Sequence, residues 1–309
     1  MSAPAAPGIV SGYLSIDHSV AVLVGIEPGR TALVGRRLTG ENGRLGGTVA
    51  QVSLGLAANR RPIEALSWVG DDRNGSRIIQ DLAAGGVGVR GIDRRWLDRT
   101  ATTWLCYGPD DSSYCIYDPG GRLPVELTDI QASLASAAPW CVVTVGPPGP
   151  TAALLDLISP DAMVVWSVKA DPLSFTAPVV ERLAARAHII LWSGAEASFL
   201  TSILGGDWHT YCRRRGALLV ETRGANGCSY ADREGQHTVA ASARIPVQDP
   251  TGAGDRMVAG LLAAVLAGEP VESAVRAGGA AAVEFLEERA AEERALTPDD
   301  AERQVSDVR

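Results

Sequence analysis

A chain of 309 residues with a hydrophobic share of 46% can bury a substantial core, as one large α/β unit or as two ordinary ones. Its formal charge of −8 disfavours general binding to nucleic acid or acidic membrane surfaces and leaves room for a local basic pocket. Met1 to Gly8 lacks the basic and apolar regions of a signal peptide, and no apolar run approaches the ~20 residues of a membrane span, so a soluble, cytoplasmic protein without nucleic-acid or membrane partners is expected.

Ile9 to Leu14 reads as a first strand, and Thr48 to Leu56 as a helix on the spacing of Val49, Val52 and Leu56. Between them, Thr31 to Leu38 is strand-like in a Gly- and Arg-rich setting. Thr100 to Tyr117 is a second irregular stretch, carrying Trp104, Tyr107, Tyr114 and Tyr117 around a Pro-Asp-Asp-Ser turn. Both read as a small β excursion from the main sheet. From Leu127 onward, strands at Cys141 to Val145, Met163 to Val168, His188 to Leu191 and Ala217 to Glu221 alternate with helices at Thr151 to Ile158, Ala177 to Ala187 and Ala195 to Leu204. Such alternation predicts an α/β protein with a mostly parallel central sheet between helices, and ligands at the carboxyl ends of its strands. The mixed-charge run from Glu284 to Arg294 reads as the solvated face of a helix.

Five scattered cysteines without a Cys-x-x-Cys pair are not a disulfide framework, and four histidines show no zinc-ligand spacing. A Gly-x-Ser-x-Gly nucleophile turn and a Walker phosphate loop are both absent, and Lys169, the chain's only lysine, is in the wrong context for the latter.

The densest chemistry lies in Asp249-Pro250-Thr251-Gly252-Ala253-Gly254-Asp255. A strand is expected before it, at Ala243 to Val247, and an apolar helix after it, at Met257 to Ala267. The backbone N–H groups of Gly252, Ala253 and Gly254 would then open a helix N-terminus, where the dipole favours an anion. Asp255 beside them could take the proton of an attacking hydroxyl during phosphoryl transfer. The same residues also read as a tight turn before an acidic first helical turn. A dinucleotide fingerprint fits worse, because Met257 stands where its third glycine is needed.

Further motifs join this one in a single pattern. Gly46-Gly47-Thr48-Val49-Ala50-Gln51, Val69-Gly70-Asp71-Asp72-Arg73-Asn74-Gly75 and Thr222-Arg223-Gly224-Ala225-Asn226-Gly227 occur in the order in which similar motifs occur in the ribokinase, or PfkB, carbohydrate kinases. The chain resembles that family over nearly its whole length. The resemblance implies a Rossmann-like ribokinase fold whose α/β core takes residues 1–26, 46–96 and 122–309, with a small β lid from 27–45 and 97–121. It implies ATP and Mg²⁺ as cofactors, a small polyhydroxylated substrate, and a lid contact that makes a homodimer.

By the same resemblance, Asp255 is the base and Gly252, Ala253 and Gly254 form the anion hole. Asp17, Gly46, Gly47 and Gln51 face the substrate, with Gln51 where the family usually has asparagine. Thr222, Gly224, Gly227 and Lys169 border ATP, although a β-turn accounts for the first three and a solvated strand end for Lys169. Glu196 matches the Mg²⁺-organising glutamate, acting through water, with Ser193 in place of asparagine; a first-turn glutamate favoured by the helix dipole fits it too. Asp249 and Thr251 stand where some relatives hold a monovalent cation such as K⁺, while Gly278-Gly279 and the acidic helix beyond depart from the usual closing pattern. The expected activity is transfer of the γ-phosphate of ATP to a hydroxyl of a sugar or polyol, including a cyclitol. A nucleoside is the alternative acceptor, with Trp104, Tyr107 and Tyr114 as an aromatic wall for a base. A sugar- or nucleotide-binding regulator without catalysis is the alternative of another class.

Overall fold

A computed structural model describes residues 6–110 and 112–296. Met1 to Ala5, Asp111 of the Pro-Asp-Asp-Ser turn and the end of the expected core at 297–309 lie outside them. The first part of the chain runs β1 (Gly8–Ser11), β2 (Ser15–Val22), β3 (Val34–Arg37), β4 (Arg44–Gly46), α1 (Thr48–Ala58), β5 (Ile63–Gly70), α2 (Arg73–Ala84), β6 (Ile92–Leu97), β7 (Thr102–Tyr107) and β8 (Ser113–Asp118). It continues through α3 (Asp129–Ala137), β9 (Trp140–Val143), α4 (Pro148–Leu157), β10 (Met163–Ser167), α5 (Ala177–Arg186), β11 (Ile189–Ser193), α6 (Gly194–Leu204), α7 (Trp208–Arg214), β12 (Leu218–Thr222), β13 (Cys228–Ala231), β14 (Gln236–Val239), α8 (Ala253–Leu266) and α9 (Val271–Ala295).

A nine-stranded sheet in the order β14-β13-β12-β11-β10-β9-β1-β5-β6 forms the centre. Its strands pair in parallel from β6 to β12, and β13 and β14 close one end antiparallel. Successive residues of a strand point to opposite faces. Val10, Val142 and Val165 therefore join one core with α1 and α8, while Ile9, Cys141 and Val164 join a second core under α4 and α5. Burial on both faces explains the continuous apolar runs, each Val or Ile contributing about 1.5–3 kcal/mol.

The second sheet has five strands, β3-β2-β7-β8 with β4 on β2. It takes in β2, which the sequence reading left in the core at 1–26. The chain leaves the large sheet after Ser11, not Leu14, because Gly12 to Leu14 turn it so that Ile16 to Ala21 pair with Thr102 to Tyr107. The strand expected at Ala243 to Val247 does not form, so α8 is entered from a loop. Pro246 has no N–H to offer a ladder, and β14 already ends the sheet. The charged run at the end of α9 is only partly solvated, since Arg289 and Glu293 are buried.

Asp72 shows what the second glycine-rich motif does locally. It caps α2 by accepting from Gly75 N at 2.7 Å, and it also accepts from Thr100 N at 2.7 Å and Thr100 Oγ1 at 2.6 Å. Burial pushes its carboxyl up, but these bonds outweigh burial and hold it below the ordinary range. Asp72→Ala is expected to cost about 1–2 kcal/mol, the upper part of the usual capping range. Denaturant unfolding at pH 7 measures this, and the difference from wild type should shrink as acid protonates Asp72 in the wild-type chain.

Candidate active site

The carboxyl ends of β10, β11 and β12 and the inner face of the small sheet enclose a cleft of about 1480 Å³. Pockets for one small ligand typically hold about 300–1,000 Å³, so this one has room for two. Asp17, Gly46, Gly47, Gln51, Lys169, Glu196, Thr222, Gly224, Gly227, Thr251, Gly252, Ala253, Gly254 and Asp255 all line it. Asp249 is buried behind it.

At the floor, Gly252 caps α8 with φ 104°, a left-handed conformation that a side chain would strain. A Cβ there would also lie 2.8 Å from the Phe285 ring. Ala253 N–H is spent on the Pro250 carbonyl at 3.1 Å, so it leaves the expected anion hole and instead closes the loop. Among the described residues, Gly252 N–H and Gly254 N–H find no acceptor, and the space beside Gly254 is open. Two free donors at a helix N-terminus remain a site for an anion.

Asp255 sits in the first turn of α8, buried. Burial pushes its carboxyl above the ordinary range; the Lys169 ammonium and the Thr48 hydroxyl oppose this, and the Asp17 and Glu196 charges add to it. Asp17 projects from β2 and accepts from Ser15 Oγ at 2.7 Å. It too is raised by burial, against the hydroxyls of Ser15 and Thr103 and the charge of Arg44. Gly46 faces this carboxylate so closely that a Cβ would lie 2.0 Å from Asp17 Oδ1.

Other expected residues serve partly as scaffold. Gln51 donates to the Leu45 carbonyl at 3.3 Å and accepts from Arg256 Nε at 3.4 Å, which holds the diglycine turn against α8. Glu196 Oε2 completes a capping box with Ser193, accepting from its N–H at 2.6 Å and from its hydroxyl. Thr222 Oγ1 donates to the Trp192 carbonyl at 3.3 Å, and Gly224–Asn226 is a 3₁₀ turn closed by Gly227 at φ 81°. The aromatic wall is rearranged. Trp104 is 42% exposed and off the cleft, whereas Tyr107, Tyr114 and Tyr117 line it.

Sequence reasoning missed Arg44 and the role of Tyr107. Arg44 pairs with Asp249 Oδ2, and the Tyr107 hydroxyl donates to Oδ1. Burial would raise Asp249, but this guanidinium and hydroxyl override it and hold the carboxyl below the usual range. Parity was the available signal. Thr103, Leu105 and Tyr107 alternate along β7 and all reach the cleft, which places Tyr107 inward and Trp104 outward.

The family model "pfkB family carbohydrate kinase" matches residues 14–297. An acarbose 7(IV)-phosphotransferase from Actinoplanes sp. is 39% identical over 88 residues, a match covering 28% of this chain and 29% of that protein. The nucleoside kinase of Methanocaldococcus jannaschii superposes with a TM-score of 0.73 at 17% identity, over 93% of this chain and 99% of that one. A ribokinase from Arabidopsis thaliana, solved with ribose and ATP, gives a TM-score of 0.71 at 19% identity over 90% and 92% of the two chains. With a family match that takes in both glycine-rich signatures and a fold shared over 93% of its length, the chain belongs to the pfkB family of carbohydrate kinases, phosphotransferases that act on alcohol groups.

Proposed function

We propose that the chain transfers the γ-phosphate of ATP to a hydroxyl of a sugar or polyol. The observation that carries this reading is the buried Asp255 carboxylate beside the two unspent N–H groups of Gly252 and Gly254, in one cleft with Asp17 and Lys169. Asp17 and the Gly46-Gly47 backbone hold the acceptor hydroxyls, and Asp255 takes the proton of the attacking one. The oxygen of that hydroxyl bonds to the γ-phosphorus as the bond from the γ-phosphorus to the bridging β-phosphate oxygen breaks and ADP leaves. Gly252 and Gly254 N–H groups and the Lys169 ammonium stabilise the transferring oxygens, and the Thr222 to Gly227 turn borders the nucleotide.

Among the described residues no three His, Cys, Asp or Glu side chains converge as a metal cage. Glu196 lines the cleft and would help to hold Mg²⁺ through water, where the ion would neutralise developing charge on the phosphates. ADP release under Mg-ATP across hexoses, pentoses, cyclitols and nucleosides tests the proposal. Turnover confined to nucleosides would favour the second reading, which Tyr114 and Tyr117 in the cleft support. Tight nucleotide binding without turnover on any acceptor would leave a binding regulator.

Lys169→Met is expected to move the acidic limb of kcat/KM to higher pH. Asp255 must be ionised to act, and Lys169 is the group that most opposes its upward displacement. A pH–rate profile reads this, and an unmoved limb separates Lys169 from the base.

The reading extends to a homodimer in the cytoplasm. No helix among the described residues is long and apolar enough to cross a membrane. On the outer face of the small sheet, Trp104 pairs across strands with Ile116, and they are 42% and 60% exposed. A second copy covering that face would bury both. Solution mass over a dilution series is expected to give a dimer, and a Trp104→Ala, Ile116→Ala pair a monomer; a monomeric wild type at high concentration removes the claim.

A further inference from the structure

Asp249 is fully buried in the loop that leads into α8, and a buried carboxylate requires a counter-charge. The resemblance assigns that task, at Asp249 and Thr251, to a bound monovalent cation, but the side chains do not fit one. Arg44, from β4, forms an ion pair with Oδ2. The Tyr107 hydroxyl, from β7, donates to Oδ1, and Thr251 N–H donates to the same oxygen at 3.0 Å. With its one proton on Asp249, the Tyr107 oxygen accepts from the Thr251 hydroxyl at 2.6 Å, which turns that hydroxyl toward Tyr107. Both Asp249 oxygens that would have to face a cation therefore face hydrogen-bond donors or a guanidinium, and the Thr251 hydroxyl is held against Tyr107.

A second observation points the same way. A cation shell needs several oxygens, and α9, whose Glu293 reaches the loop, continues as an unbroken helix from Val271 to Ala295. Carbonyls inside a helix already accept from the N–H four residues on. The helix fixes the loop through side chains instead, with Glu293 accepting from Gln248 N at 3.1 Å and Asp249 N at 2.9 Å. It also buries Arg289, a second positive charge felt by Asp249.

We propose that the Arg44 guanidinium takes the place of a dissociable monovalent cation, so that the loop bearing Gly252 and Gly254 is set without K⁺. Arg44 and Tyr107 both stand on the small sheet, so the counter-charge arrives with the lid, and seating the lid sets the anion-binding loop. Only the nucleotide arm of the following test rests on the kinase reading.

The test compares the full chain in KCl and in choline chloride at equal ionic strength, by melting temperature without nucleotide and by calorimetric Mg-ATP binding. Wild type is expected to melt at the same temperature in both salts and to bind Mg-ATP with Kd values within about twofold. A saturable rise in melting temperature with KCl, or tightening of about tenfold or more, overturns the proposal. Arg44→Met should melt lower and bind Mg-ATP about tenfold or more weakly, because it leaves the Asp249 charge buried and unpaired. Arg44→Met combined with Asp249→Asn should recover melting temperature toward wild type, and an Arg44→Met protein indistinguishable from wild type overturns the assignment. If Arg44→Met does not fold, the wild-type comparison and the double variant decide. A chain that binds no Mg-ATP in either salt, yet melts independently of K⁺ and recovers in the double variant, sinks the kinase reading and leaves the role of Arg44 standing.

Discussion

Asp255→Asn is expected to lower turnover by about 10²–10⁴, to leave Mg-ATP affinity nearly unchanged and to raise the melting temperature at pH 7. The kinetic part follows from position: asparagine keeps the shape of the first turn of α8 but cannot accept the hydroxyl proton. The stability part follows from burial, which lifts the Asp255 carboxyl above its unfolded value. Between the unfolded and folded pKa the folded chain holds more protons than the unfolded one, so stability is lost as pH rises through that window. Above that window the raised carboxyl is therefore a cost that folding carries for activity. Melting curves of both proteins from pH 4 to 8 should diverge toward neutral pH and approach each other in acid. Full turnover in the variant would remove Asp255 as the base, and a lower melting temperature at pH 7 would remove the burial argument.

The large sheet was legible because its parallel strands are buried on both faces and so appear as apolar runs such as Met163 to Trp166. β2 was not, since Ser15, Asp17 and Ser19 alternate with Ile16, His18 and Val20, a pattern that does not say which sheet the strand joins. That choice depends on a partner far along the chain; Thr103 Oγ1 reaches Ser15 Oγ at 3.2 Å across 88 residues. Gly252 and Asp255 were legible because a turn, a helix start and an acid fall within one short motif. Arg44 was hidden for the opposite reason. An arginine near a turn is an ordinary surface residue until Asp249, 205 positions later, is folded against it. The Ala243 to Val247 expectation failed on Pro246, whose missing N–H outweighed the apolar pattern around it.

Gly46→Ala should lower kcat/KM for the acceptor by about 10² while leaving Mg-ATP affinity unchanged. A Cβ at this position would lie 2.0, 2.1 and 2.3 Å from the three atoms of the Asp17 carboxylate group. The backbone of Gly46 cannot step away, because it is held in register opposite Ser15. Asp17 must move instead, giving up the 2.7 Å bond from Ser15 Oγ that orients it toward the cleft. Gly47→Ala acts on a different link, for its φ of 87° strains any side chain and its Cβ would meet the Tyr13 carbonyl at 2.4 Å. That substitution should reduce stability by at least about 1–2 kcal/mol, visible in denaturant unfolding without any substrate. The pair thus differs in substrate dependence: both should lower the unfolding midpoint, but Gly46→Ala should also lower acceptor kcat/KM through the displaced Asp17. Wild-type acceptor kinetics in Gly46→Ala would take Asp17 out of the acceptor site.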